Sequence, residues 1–194
     1  MHIEVPPYTY LGTKQLHYLS GEKTGIYIAD SPHLPMCHNQ RINRNKTFDD
    51  LAAHGRTTMG CFMAKLHVII NNKGEIIAIK ITAGNVDDRT VLEAMTKELK
   101  GKLFADKSYI SRKLFENIWK RGLHLITSIR KNMKSYLMLM MEKSLLRRRF
   151  VVELSNPDLD WFIPFIGHPT IVHILSCIAA YQIRPKKPKI NLKT

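Results

Sequence analysis

Acidic residues are scarce in this chain of 194 amino acids, where 16 Asp and Glu stand against 30 Lys and Arg, for a formal net charge of +14. An imbalance of that size bears on partners more than on fold. It points to a polyanion, DNA or RNA, with an anionic membrane surface as the competing reading. Cysteine is scarce as well: there are only Cys37, Cys61 and Cys177. Three widely spaced thiols make no disulfide framework, and a reducing cytoplasm fits them. A structural zinc needs four ligands, usually in two close pairs. Cys37–His38 is the one Cys/His neighbour pair, so that class is excluded too. Long apolar runs are missing. Met1 to Tyr10 holds none that could serve as a signal peptide. The fairly apolar stretch Phe162–Tyr181 carries Pro164, His168, Pro169 and His173 and reaches only the short limit for a span, so it reads as a buried helix and no membrane partner is expected.

What is present suffices for one globular domain, since 44% of the residues are hydrophobic. Pro6, Pro7, Gly12 and Gly21 punctuate the first 24 residues, which show no period. Gly25-Ile-Tyr-Ile-Ala-Asp30 is a β-like run ending in an acid, and the polar stretch from Ser31 to Gly60 reads as a long loop or insertion. Lys65–Ile70 and Glu75–Thr82 are β-branched runs around Asn71-Asn-Lys-Gly74, which predicts a hairpin with positive φ at Gly74.

Asp87 or Asp88 caps an expected helix to about Lys100, with Val91, Leu92, Met95 and Leu99 on one face and Gly101 as its C′ stop. Leu103-Phe-Ala-Asp106 is a second strand ending in an acid. Ser111 caps a helix whose buried stripe is Leu114, Phe115, Ile118 and Trp119, stopped by Gly122. A strand over Leu123–Ser128 follows, then helices over about Tyr136–Glu153 and Thr170–Tyr181, then a basic tail. Strand, hairpin, helix, strand, helix, strand, helix is the ribonuclease-H order. It predicts an α/β fold: a ribonuclease-H-like mixed sheet with flanking helices.

In that order the strands ending in Asp30 and Asp106 are neighbours. Two carboxylates 76 residues apart (106 − 30) would then converge at strand ends, where ligands gather in open α/β sheets. Glu153, 47 residues further (153 − 106), lies on a helix that could cross the same place. Phosphodiester chemistry needs a nucleophile made from water or a 3′-hydroxyl and a stabilised leaving oxygen, and two divalent ions supply both. Mg²⁺ takes a few hard carboxylates plus water and substrate phosphate. The residues alone leave a plainer alternative open, in which the two aspartates are turn or cap residues and Glu153 is a solvated acid.

The blocks Ile26-Tyr-Ile-Ala-Asp-Ser31, Pro35-Met-Cys-His-Asn39 with Arg41-Ile, Lys65-Leu-His67, Gly84-Asn-Val-Asp-Asp-Arg89, Lys102-Leu-Phe-Ala-Asp-Lys-Ser-Tyr-Ile-Ser111, Leu125-Ile-Thr127 with Ile129-Arg-Lys-Asn-Met-Lys134, and Leu146-Arg-Arg-Arg-Phe-Val-Val-Glu153 occur in this order. Together they closely resemble the DDE-type transposases of insertion-sequence family 982. The resemblance covers most of Gly25–Glu153 and returns at Ala180-Tyr and Pro185-Lys-Lys-Pro188. It implies a ribonuclease-H-like core that cuts transposon ends and transfers strands to target DNA with two Mg²⁺ or Mn²⁺ ions. By position the catalytic, metal-holding acids are Asp30, Asp106 and Glu153. His38, Arg41, Arg44, Lys46, Lys107, Arg147, Arg148 and Arg149 become candidates for phosphate contacts. A bacterial cytoplasm with nucleoid association follows, and a homodimer is compatible with it.

The chain also departs from the family. Only about two dozen residues precede the first strand, where family members carry a DNA-binding region. Ser108 stands where the family commonly has Gly, a cost if φ there is positive. After Glu153, Pro157 and Pro164 interrupt a helix, and Asp158 and Asp160 add negative charge. The expected organisation is an irregular remnant at 1–24, the core at 25–153, an altered helical segment at 154–183 and a basic tail at 184–194. These departures predict a truncated core with reduced or lost activity, and the alternative is a non-catalytic remnant that binds DNA without sequence preference.

Overall fold

The computed structural model describes residues 21–37, 53–54, 62–129, 139–146, 171–185 and 187. Seven strands form one mixed sheet: β1 (Ile26–Asp30), β2 (His33–Cys37), β3 (Ala53–His54), β4 (Phe62–Asn71), β5 (Ile76–Ala83), β6 (Gly101–Ala105) and β7 (Leu123–Thr127). They occupy five strand positions. β1 and β2 pair with β4 in one antiparallel register, from Tyr27↔Asn71 to Asp30↔Val68 and on from His33↔Lys65 to Pro35↔Met63, where it shifts by one residue before Cys37↔Phe62. They are thus one strand broken at Ser31–Pro32, and the Leu66 amide still donates to the Pro32 carbonyl there at 3.0 Å. β5 and the short β3 lie along the opposite edge of β4. β6 and then β7 extend the sheet beyond β1 in parallel.

The stretch from Ser31 to Gly60 is therefore not all loop, because β2 and β3 lie inside it. Proline and polar residues mask their strand signal. What makes them strands is the ladder offered by β4, a long-range contact invisible to local pattern.

The hairpin β4–β5 turns at Asn71-Asn-Lys-Gly74, and Gly74 has φ +78°. Asn71 is fully buried, and its amide is fully used. Its Nδ2 donates to the Glu22 carbonyl (2.9 Å) and to Glu75 Oε2 (2.7 Å), while its Oδ1 accepts from the Lys73 and Glu75 amides, each at 2.9 Å. That satisfaction is what permits an amide in the core.

α1 (Asp88–Met95) is capped by Asp87, whose side chain accepts from the Arg89 amide. It ends at Met95 and not near Lys100. The Thr96 hydroxyl folds back onto the Leu92 carbonyl at 2.8 Å, and Thr96 is the C-cap. α2 (Arg112–Trp119) is capped by Ser111, as the sequence suggests. A 3-10 turn at Lys107–Tyr109 precedes it, so Ser108 sits in a helical turn with no positive φ. Half of the α2 stripe differs from expectation. Leu114 and Ile118 are buried, but Phe115 is 40% and Trp119 55% exposed. These two rings stack at 5.7 Å and flank His124 on β7, with Trp119 meeting its imidazole edge-on at 4.6 Å. They wrap the sheet's last strand position among the described residues, a place where burial is partial by construction.

Residues 140–146 are helical. α3 (Ile171–Ile183) packs on the hairpin, where the Gln182 side-chain amide pairs with both backbone groups of Ile76 at 3.2 Å and the Tyr181 hydroxyl donates to the Gly74 carbonyl at 2.7 Å. Among the described residues no helix is long and apolar enough to cross a membrane.

Strand alternation divides the sheet's residues between two faces. Tyr27, Ala29, Ile69, Leu103, Ala105 and Leu125 join Leu92, Leu114 and Ile118 of α1 and α2 in the main core. The opposite face carries Ile28, Phe104 and Lys102. Lys102 pairs with Glu142 at 2.8 Å, which brings the 140–146 helix to that side.

Gly101 proves to be no helix stop. It opens β6 with φ +113°, donates to the Gly122 carbonyl at 2.9 Å, and lies so close to Gly25 that a Cβ would stand 2.2 Å from the Gly25 carbonyl oxygen. The neighbouring Lys102 amide donates to that same carbonyl at 2.8 Å. Both the φ and the approach demand glycine. Gly101→Ala is expected to destabilise the fold by about 3 kcal/mol through strain and overpacking. Denaturant melts check this, and a loss below roughly 0.5 kcal/mol would show that the β1–β6 start can yield.

Candidate active site

The register of β1 with β6 pairs Ile26 with Lys102, Tyr27 with Leu103 and Ile28 with Phe104. Each pair differs by 76. Continued two residues, the same register sets Asp30 against Asp106 at the C-terminal ends of adjacent parallel strands. Their backbones are then one strand spacing apart, about 4.8 Å. In parallel strands, residues at one register level share a face, here the face of Ile28, Phe104 and Lys102. Asp106 keeps an extended backbone (φ −76°, ψ 169°), so it continues the alternation. Both aspartates are half-buried and engaged with neighbouring groups.

Lys107 is exposed in the 3-10 turn directly after Asp106. Glu153, His38, Arg41, Arg44, Lys46, Arg147, Arg148 and Arg149 lie outside the described residues. Among the described residues no group of three or more His, Cys, Asp or Glu suited to a metal ion is found. The in-register aspartates fit a hard divalent cation as two ligands of a larger set.

On the other face, beneath this strand end, is a buried polar network with little signal in the local sequence. Lys65 donates to the Val86 carbonyl and to Asp88 Oδ1, both at 2.9 Å, with both side chains largely shielded. It pins the β5–α1 loop to β4. Asp88 therefore does more than sit in a helix's first turn. Tyr109, 1% exposed, fills the space beside it. Its amide donates to the Asp106 carbonyl at 3.1 Å. Burial pushes the phenol's pKa above the ordinary tyrosine range; the Ser31 side chain opposes this, and the charges of Asp88, Asp30 and Asp106 add to it. The sequence signal for Tyr109 is only its spacing, three residues after an acid that ends a strand.

His67, 3% exposed, meets the Thr82 hydroxyl at 2.8 Å and is a satisfied sheet histidine. Burial holds its pKa down at about 4; Asp88 opposes that shift, while Lys65, Lys80 and His33 contribute to it.

Residues 20–169 match the sequence profile of the transposase DDE domain, well over half of the chain. The chain belongs to the DDE-domain transposases. No curated protein matches it. Among solved structures it is similar to a piggyBac transposase synaptic complex with hairpin DNA, at 13% identity over 60% of this chain and 25% of that one, with a TM-score of 0.40. It is also similar to a simian T-cell lymphotropic virus intasome in complex with the PP2A regulatory subunit B56 gamma, at 10% identity over 87% of this chain and 52% of that one, with a TM-score of 0.39. The chain thus spans about a quarter and about half of those chains.

The depressed His67 pKa sets the sign of a pH effect. Between pH 6.5 and about 4 the unfolded chain protonates this histidine and the folded chain does not. Stability is intact above pH 6.5 and falls as pH drops toward 4, by roughly 3 kcal/mol at most. Thermal melts of the parent and of His67→Gln from pH 7 to 4 are expected to converge as pH falls. Parallel curves would assign the acid sensitivity to other groups.

Proposed function

We propose that this chain is the catalytic core of a bacterial insertion-sequence transposase, of the family 982 kind, that cleaves transposon ends and transfers strands to target DNA. The observation that carries the reading is the parallel register of β1 with β6, which, continued two residues past Ile28–Phe104, brings Asp30 level with Asp106, in a DDE-domain transposase chain of net charge +14. Asp30 and Asp106 would hold Mg²⁺ or Mn²⁺ from the sheet, and Glu153 would complete the set. When bound, the ions supply charge stabilisation at the attacking and leaving oxygens of the phosphodiester.

The protein's own residues do the remaining work. The two aspartates share a face because alternation runs in step on both strands. Half-burial keeps bulk water from competing for their oxygens, and Lys107 beside Asp106 adds positive charge where phosphate would lie. The basic residues at 38–46 and 147–149 extend the attraction for DNA. Two copies, one at each transposon end, are the arrangement we favour.

A second reading has a specific basis in the chain. Pro157, Pro164, Asp158 and Asp160 follow Glu153, where the family continues as a DNA-facing helix. On this reading the protein is a non-catalytic remnant that binds DNA through its cations, without sequence preference.

One assay separates the two. Supercoiled plasmid and transposon-end duplexes are incubated with the protein and Mg²⁺ or Mn²⁺. The active-core reading expects metal-dependent cutting that Asp30→Ala and Asp106→Ala each reduce roughly a hundredfold or more, since the ligands carry several kcal/mol of stabilisation. DNA binding should persist in both variants. Salt-sensitive binding by the parent chain with no cutting in either metal would establish the remnant.

A further inference from the structure

We propose that Phe115, Trp119 and His124 form a stacking platform for unpaired DNA bases at the β7 edge of the sheet, with the cations around them holding the phosphates. The inference goes beyond the metal-site reading and does not depend on it.

Adjacent large rings left in water mark a contact surface more often than an accident of packing. α2 buries Leu114 and Ile118 but leaves Phe115 and Trp119 in solvent over much of their area. The rings are braced. Phe115 and Trp119 stack with centroids 5.7 Å apart and planes 19° apart, and both meet the His124 imidazole edge-on, at 6.0 and 4.6 Å. Side chains held in this way lose little freedom when a flat group is laid against them.

The surrounding charge selects the occupant. Between Ser111 and His124 the chain carries Arg112, Lys113, Lys120 and Arg121 against one acid, Glu116. Arg112 pairs with Glu116 at 2.9 Å in solvent, and Arg121 is taken by Glu93 at 3.0 Å. Lys113 and Lys120 are exposed and make no ion pair among the described residues. Lys100, also exposed, runs over the turn that joins α2 to β7, where a Cβ on Gly122 would stand 4.0 Å from its Cγ. An apolar protein partner would desolvate these ammonium groups, and a second copy would set like charges against each other. A polyanion gains from them instead. A duplex keeps its base faces inside its own stack, whereas an unpaired strand offers them, and aromatic rings beside cations are the usual way to hold it.

His124 is level with Lys102 in the β6–β7 register, so it lies on the Ile28, Phe104 and Lys102 side of the sheet. That level is four residues along β6 from Asp106 (106 − 102), roughly 13 Å.

The test uses the full chain without metal, in EDTA, and reads fluorescence anisotropy with three probes: an oligothymidylate of about 16 nucleotides, an abasic oligomer of the same length and a duplex. The parent is expected to bind oligothymidylate about tenfold more tightly than the abasic strand. Trp119→Leu keeps apolar cover over β7; it should lose about tenfold in oligothymidylate affinity and stay within about twofold of the parent on the other two probes. Phe115→Leu should act in the same direction. The chain has two tryptophans, so Trp161→Phe leaves Trp119 as the sole reporter, and oligothymidylate but not the abasic strand should quench it. Equal parent affinity for the two single strands overturns the platform, as does a Trp119→Leu chain that binds oligothymidylate like the parent. Equal weakening on all three probes overturns it too, by marking an effect on fold or charge. If the parent sediments as a dimer and Trp119→Leu as a monomer with unchanged single-strand affinity, the patch is a subunit interface instead. Should Trp119→Leu fail to fold in thermal melts, Phe115→Leu and the quenching of Trp119 decide.

Discussion

The parallel pairing of β1 with β6 is the contact on which the candidate site depends. It starts at two glycines: Gly101 approaches the Gly25 carbonyl more closely than any side chain would permit, and the Lys102 amide bonds to that carbonyl. From this point the offset of 76 residues is fixed. The levels up to Ile28 and Phe104 keep it, and continued two residues further it reaches the aspartates. A shift of one residue would leave the hydrophobic levels facing wrongly and the carboxylates on opposite faces. The apolar core therefore enforces, level by level, an arrangement that the two acids would resist by themselves. Like charges one strand spacing apart repel, and burial makes that repulsion worse. The fold holds them near each other because Tyr27, Ala29, Leu103 and Ala105 gain from the same register.

The two faces of the sheet divide the labour. Toward α1 and α2, the strand ends are backed by Lys65, Asp88 and Tyr109, which are hydrogen-bonded to one another or to backbone. A network of this kind resists deformation only when its groups are satisfied, and Lys65 illustrates the point by spending its ammonium on both a carbonyl and a carboxylate. Toward the other face, Asp30 and Asp106 share their side of the sheet with the Lys102–Glu142 pair, which holds the 140–146 helix against β6. The proposed catalytic face thus carries the acids, and the other face carries the packed core behind them.

Much of this was open to reading from local chemistry. Acids closing short β-branched runs, the Asn71–Gly74 turn and the caps Asp87 and Ser111 are written in neighbouring residues, so pattern reasoning reaches them. What it missed depended on distant partners. β2 and β3 are strands because β4 passes beside them, although Pro35 and the polar residues around them suggest loop. The stop of α1 at Met95 comes from a Thr96 hydroxyl turning inward, an option that periodicity does not record. Gly101 resembles a helix terminator in sequence, and its real constraint, a carbonyl from residue 25, lies 76 positions away. Phe115 and Trp119 sit on the correct helical stripe, but the stripe reaches past the end of the sheet, so half of it meets solvent and His124. For the candidate site, the strands that end at Asp30 and Asp106 were reachable from local pattern and order. Glu153 and most of the basic candidates fall outside the described residues.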